Sequence, residues 1–261
     1  MERTVRISQL LDWQRCHRRH HLRRLIGEGP GSEATAKGQS FHAFVQAATL
    51  RPQAEAAALG QDMGGERWGT EWRRASRHLP AWLWEGAWAS EVEMELPALI
   101  HGVRLQGHID LMQVRADSVL MVEIKTGGQA PTNYLAFNLQ HRFYALTLAF
   151  TYSKPIFYTY LMPGHEASLP CYFTPAQQQQ TKWEVEGLVA AWLADEDTHP
   201  GLWLPTYSAL CRWKGGQCDF ADACEMTAME GLPILEAYDM IRKQQQQPPV
   251  TADSPTAEVE E

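Results

Sequence analysis

Hydrophobic and polar positions divide the chain into a helical first third, a strand-rich middle and a mixed final third. Apolar residues every three to four positions mark helices, and alternation marks half-buried strands. Ser8 suits an N-cap, and the pattern after it predicts a helix to about Leu25, followed by a loop over Gly27–Gly31. Further helices are expected over about Thr35–Leu50 and, rich in tryptophan, Glu66–Trp84. From Ser90 the period shortens, and Glu91–Pro97, Val103–Val114 and Ser118–Lys125 read as strands. Pro131 opens a helical stretch to about Phe150, with Leu135, Leu139, Phe143, Leu146 and Phe150 on one broad face. Strands follow near Ile156–Leu161 and Leu169–Phe173, and Thr174-Pro175 introduces a helix to about Ala194. Residues 200–224 look irregular, Ala228–Lys243 reads as a short helix, and 244–261 has the composition of a disordered acidic tail. There is no internal repeat. The elements predict an α/β protein whose central sheet is flanked by helices.

Composition narrows the class only slightly. The 261 residues are 44% hydrophobic and 21% charged, ordinary for a globular protein with a sizeable core. No apolar run is long enough to span a bilayer, so no membrane association is expected. Asp12 and Arg15 fall where a secretory signal needs its apolar stretch, so a cytoplasmic protein is expected. In that compartment cysteines bind metal or stay free more often than they form disulfides. The net charge of -8 is unevenly spread: residues 1–24 carry seven arginines against two acids, while the tail is acidic. Arg15, Arg19 and Arg23 recur at i, i+4 on the first expected helix. Such a basic stripe suits a phosphate backbone and equally suits a solvated helix face.

The strongest local signal lies in the two central strands. Glu123 and Lys125 interrupt the apolar run SVLMVEIK, and alternation places them on one face. Asp110 interrupts GHIDLMQV in the same way. A symmetric hairpin turning near Ala116-Asp117 sets Val114 opposite Val119 and, by the same count, Asp110 opposite Glu123. Two carboxylates about 5 Å apart repel, and a hard divalent cation neutralises them. Lys125 on the same face suits an attacking water or the charge growing on a phosphate. The same spacing also suits a salt-bridge cluster on an exposed sheet face, and a one-residue bulge would separate the carboxylates. The preceding strand carries Glu91, Glu93 and Glu95, which alternation puts together on a solvated face; one of them could still approach the metal, and none is assigned.

Asp110 with Glu123-Ile124-Lys125 resembles the PD-(D/E)XK nuclease superfamily, and specifically its RecB-like exonuclease branch. The resemblance runs from about Ser8 to Cys224 and includes the flanking motifs. KGQSFHAFVQ resembles the branch's G-x-x-x-H segment, which places His42 at the metal site. LQHRFYALTLAF matches its Q-x-x-x-Y motif through Gln140 and Tyr144, on one face of a helix. His108 stands where the superfamily's name suggests proline. The resemblance implies a restriction-endonuclease-like core with a mixed sheet, in which Asp110, Glu123, His42 and the Ile124 carbonyl hold Mg2+ or Mn2+. Lys125 assists the attacking water, and Gln140, Tyr144 and the arginine stripe guide DNA.

Cys211, Cys218 and Cys224 cluster near the end of the chain, while Cys16 lies near its start. If the chain ends meet, four thiolates suit a [4Fe–4S] cluster or a zinc ion. Members of the branch, among them AddB-type and CRISPR-associated exonucleases, hold an iron–sulfur cluster on one N-terminal and three C-terminal cysteines. The CDFADAC ending is similar to theirs, although the gap after Cys211 is longer. Cys171, in an apolar strand, reads as core. The expected organisation is a nuclease domain over 1–230 that includes the cysteine segment, a helix over 231–243 and the tail. The resemblance implies an exonuclease on single-stranded DNA or DNA ends, in repair, recombination or replication, with room for a helicase or recombinase partner. The alternative is a DNA-end recruitment module on the same fold.

Overall fold

The computed structural model describes residues 3–27, 33–126, 138–162, 170–196, 203, 211–213 and 216–246. They form two units, one of residues 1–15 and 26–197 and the other of 16–25 and 198–261. Strand Arg3–Arg6 (β1) runs directly into helix Ile7–Arg15 (α1), the helix breaks at Cys16, and His17–Ile26 (α2) follows. The single helix expected from Ser8 is therefore two. Helix α1 opens at Ile7, and the Gln9 side chain, rather than Ser8, accepts the Arg6 N–H at 3.0 Å.

Helix Glu33–Ala48 (α3) matches the expected second helix closely. Ala56–Ala75 (α4) folds back on itself. Gly65 holds φ 55° and ψ −152°, outside the helical range. A Cβ on Gly60 would lie 2.8 Å from the Trp72 carbonyl carbon, and one on Gly64 would lie 2.5 Å from the Gly69 nitrogen. Residues twelve apart in a straight helix are about 18 Å apart, so these contacts require a hairpin. The tryptophan-rich helix expected to reach Trp84 ends at Ala75. The 3-10 turns Ser76–His78 and Ala81–Trp84 follow, separated at Pro80, which disfavours helix in the residue before it.

Six strands make the main sheet. Ala89–Glu95 (β2) and Val103–Val114 (β3) are antiparallel. Val119–Ile124 (β4) pairs with β3 in the expected register, Val114 with Val119 through Leu111 with Val122. Helix Leu139–Tyr152 (α5) links β4 to the parallel strand Ile156–Leu161 (β5). Its expected first turn from Pro131 lies outside the described residues. The edge strand Cys171–Tyr172 (β6) pairs with β5, and helix Pro175–Glu196 (α6) follows. Cys171 is exposed on this edge, which corrects its reading as core.

Strand β4 is buried at every position. Val119 and Met121 join a core with α1, α5 and α6, while Leu120, Val122 and Ile124 join a second core with α3 and the α4 hairpin. A strand covered on both faces reads as an unbroken apolar run, and a charge within it needs a partner.

The second unit contains α2, the short strands Arg212–Trp213 (β7) and Gly216–Gln217 (β8), and helices Ala221–Glu230 (α7) and Ile234–Gln246 (α8). The single C-terminal helix expected from Ala228 is interrupted by Gly231, at φ 70°, and Pro233. Helix α7 also takes in Cys224, from the segment expected to be irregular. The expected tail lies outside the described residues. Among the described residues no helix is long and apolar enough to cross a membrane.

Candidate metal centre

The first unit gathers its polar side chains where β3 and β4 part. Their ladder runs to Leu111 and Val122. One residue further, the Asp110 carboxylate accepts the Ile124 N–H at 2.7 Å. Ile109 joins one core and Leu111 the other, although alternation would place them on one face. The strand turns over at Asp110. Across from it Glu91 adopts a left-handed backbone, φ 52°. The carboxylate of Glu91 therefore leaves the solvated row that alternation assigned to it. Glu93 and Glu95 pair with Arg6 and Arg104, whereas Glu91 meets His108 at 2.7 Å and accepts from Gln46.

Helix α3 supplies His42. Gly38, one turn before it, lets the helix approach the end of β4: a Cβ there would lie 3.3 Å from Thr126 Oγ1. His42 Nδ1 lies 3.4 Å from Asp110 Oδ1. One ligand atom each from His42, Glu91 and Asp110 lies within 4.8 Å of the other two. An imidazole and two carboxylates suit a hard or borderline divalent cation. Burial lowers the His42 pKa, but the hydrogen bond to Asp110 and the charges of Asp110 and Glu123 outweigh it, and the net shift is upward.

Glu123 is 4% exposed. Lys125 Nζ lies 2.5 Å from its Oε1, and His141 Nε2 lies 3.2 Å from the same oxygen. Oε2 is buried and has no hydrogen-bond partner among the described residues. Burial alone would raise this carboxyl's pKa, but His141 and Lys125 bring it down to about 2. The balance favours the carboxylate anion.

Helix α5 brings the Q-x-x-x-Y pair to this end of the sheet. Gln140 Nε2 donates to the Tyr144 hydroxyl at 2.7 Å. The Tyr144 ring covers Gly107, where a Cβ would sit 2.4 Å from its Cε1. Burial first, and the nearby Glu123 and Asp110 charges, push the Tyr144 phenol up to about 12, so it serves as a donor and not as a base.

Asp110, Glu123, Lys125 and His42 are thus brought together, with Gln140 and Tyr144 beside them. Ile124 contributes its N–H to Asp110. The arginines do not form the single stripe expected. Arg15 ends α1, 4.0 Å from Asp12, and the break at Cys16 separates it from Arg19 and Arg23 on α2. Arg23 pairs with Asp219 at 3.1 Å. Sequence reasoning left Glu91 unassigned among the three glutamates of β2 and missed His141, whose local signal is a second polar residue beside Gln140 inside an apolar helix.

The second unit contains Cys16, Cys211, Cys218 and Cys224. The Cys218 N–H donates to the Cys211 carbonyl at 2.9 Å. Burial, with smaller contributions from the neighbouring thiols including Cys16, pushes Cys218 and Cys224 up. Arg18 bonds the Trp203 carbonyl at 2.9 Å and meets Cys224, while Arg19 acts on Cys218. Arg18 Nη1 and Arg19 Nε are buried without a hydrogen-bond partner among the described residues.

The family model of the PD-(D/E)XK nuclease superfamily matches residues 6–225. A crystal structure from Eubacterium rectale, provisionally described as an exonuclease, is similar at 12% identity and a TM-score of 0.54, over 81% of this chain and 86% of that one. The structure of SSO0001 is similar at 15% identity and a TM-score of 0.39, over 85% of each chain. No curated protein matches. At 12% identity the likeness to the Eubacterium rectale structure speaks for the fold alone.

Proposed function

The chain belongs to the PD-(D/E)XK nuclease superfamily, and on that premise we propose that it is a metal-dependent deoxyribonuclease acting on single-stranded DNA or DNA ends. The observation that carries this reading is Glu123. It is a buried carboxylate with one oxygen bonded to Lys125 and 3.2 Å from His141 Nε2 and the other without a partner among the described residues, beside the His42, Glu91 and Asp110 cluster. A buried anionic oxygen is costly unless something pairs with it, and Mg2+ or Mn2+ suits these donors.

His42, Glu91, Asp110 and Glu123 would hold the cation, with the Ile124 carbonyl as a further ligand. Bound there, it would acidify the attacking water and offset the charge building on the phosphate. Lys125, tied to Glu123 and part exposed, orients that water and meets the same charge. Tyr144, held by Gln140 and protonated throughout, donates to the phosphate backbone. Asp110, anchored by the Ile124 N–H, keeps its carboxylate fixed during the reaction. Arg15, Arg19 and Arg23 are candidates for backbone contacts made from two separate helices.

For the second unit, the family resemblance supports a [4Fe–4S] cluster on Cys16, Cys211, Cys218 and Cys224. Buried guanidinium atoms without carboxylate partners beside these thiols suit a centre that is negative overall. A zinc ion on the same thiolates is the alternative, and metal analysis separates the two. Roles in repair, recombination or replication, and a helicase or recombinase partner, follow by family analogy only.

Lys125→Ala tests the assignment. With labelled single-stranded DNA and Mn2+ it should lose at least about a hundredfold of the single-turnover rate, since charge-stabilising groups contribute about that much. Equal rates for mutant and wild type would favour a recruitment module on this fold.

A further inference from the structure

We propose that His141 and Tyr160 are positioning residues that fix the Glu123 carboxylate and present its Oε2 to the cation. The inference rests on the metal-site reading above. Glu123 and Tyr160 are register partners on the parallel strands β4 and β5. His141 sits in the first turn of α5, its backbone N–H donating to the Asn138 side chain at 3.3 Å. All three side chains are withdrawn from solvent, His141 completely. The Tyr160 hydroxyl hydrogen-bonds to His141 Nδ1, with the rings 4.8 Å apart and nearly perpendicular.

A neutral imidazole donates from one nitrogen and accepts at the other. With a carboxylate 3.2 Å from Nε2, the ring proton is assigned there, so Nδ1 accepts from Tyr160. Donation therefore runs from Tyr160 to His141, whose Nε2 faces the Glu123 carboxylate 3.2 Å from Oε1, a charge contact outside hydrogen-bond alignment. Lys125 donates to that same oxygen at 2.5 Å. Lys125 bonds Oε1 and His141 Nε2 lies against it, and Oε2 is left buried without a protein partner among the described residues. Without the His141 donor the carboxylate is free to rotate and share both oxygens with Lys125. The hydroxyl of Tyr160, in turn, holds the imidazole at one tilt. Partners of this kind orient metal ligands, and losing one costs about 10- to 100-fold in metal affinity.

The test is Mn2+ binding to the full chain by titration calorimetry, without DNA, alongside thermal melting of the metal-free protein. Wild type, Tyr160→Phe, His141→Leu, His141→Gln and Glu123→Ala are compared. Tyr160→Phe and His141→Leu should weaken Mn2+ binding about tenfold or more while still melting cooperatively. His141→Gln keeps a side-chain N–H and should recover most of the loss. Adding Tyr160→Phe to His141→Leu should cost nothing further, because the hydroxyl acts through the imidazole. Wild-type affinity in folded Tyr160→Phe and His141→Leu, with binding lost in Glu123→Ala, overturns this inference and leaves the metal site standing. Absence of Mn2+ binding in the wild type, or binding untouched by Glu123→Ala, overturns both. If His141→Leu does not fold, Tyr160→Phe decides alone, since it removes one oxygen and keeps the ring.

Discussion

Glu91 holds a left-handed backbone in mid-strand, a conformation that costs an ordinary residue on the order of 1–3 kcal/mol. Such a cost persists where surrounding structure enforces it, and here the result is a carboxylate beside His42 and Asp110. Glu91→Gln should therefore weaken Mn2+ binding by about tenfold or more. The His42 pKa is raised, so at lower pH a cation must displace its proton, and wild-type affinity should fall as pH falls. Calorimetry across pH checks both, and unchanged affinity in Glu91→Gln would remove Glu91 from the ligand set. Asp110, Glu123 and Lys125 were legible as charges interrupting apolar strands, but the expected pairing of Asp110 with Glu123 is not in the ladder, which runs to Leu111 and Val122 and leaves the Asp110 carboxylate on the Ile124 N–H. Glu91 was not assigned, since the turnover at Asp110 arises from how two strands part and leaves no mark in the periodicity. Tyr160 was hidden in the same way: in IFYTYL it reads as core, and only pairing with β4 gives its hydroxyl a partner.

The elements that carry the site depend on close backbone approaches. In the α4 hairpin, Gly64 faces the Gly69 backbone, which cannot give way as a side chain can. Gly64→Ala should destabilise by about 1–3 kcal/mol, read as a lower urea midpoint at unchanged slope. Gly187, in the interior of α6 with open space around its missing Cβ, is the control: Gly187→Ala should stabilise by up to about 1 kcal/mol. Equal effects at both positions would contradict the hairpin. Helices α3, α5 and α6 and strands β2 to β6 were readable from periodicity because packing writes it into the chain, whereas the short strands β1, β7 and β8 were not. The hairpin was not, because helical periodicity continues on both sides of Gly65 while the axis reverses. Likewise, the arginine stripe assumed an unbroken helix through Cys16, and the break there separates Arg15 from the other two.

At the scale of the whole molecule, the net charge of -8 conceals a local excess of arginine over residues 1–24. In the second unit, Arg18 and Arg19 lie against thiols and lack carboxylate partners for some of their buried nitrogens. Protein purified anaerobically should contain iron and acid-labile sulfide in equal amounts, and Cys224→Ser should lose them, while exposed Cys171→Ser should keep them. An iron-free, zinc-loaded and active protein would replace the cluster with zinc. The cysteine pattern was visible in the sequence, but that residues 16–25 share a unit with residues 198–261 was visible only in the fold.

The central claim, a cation-dependent cut made at Asp110 and Glu123, is tested most directly on end-labelled single-stranded DNA. The wild type should degrade it in Mn2+ or Mg2+ and stop on chelation. Asp110→Asn keeps the side-chain shape and the acceptor for the Ile124 N–H but removes the charge, so it should lose at least about a hundredfold of the rate. Degradation that survives chelation, or an Asp110→Asn protein as active as the wild type, would contradict it.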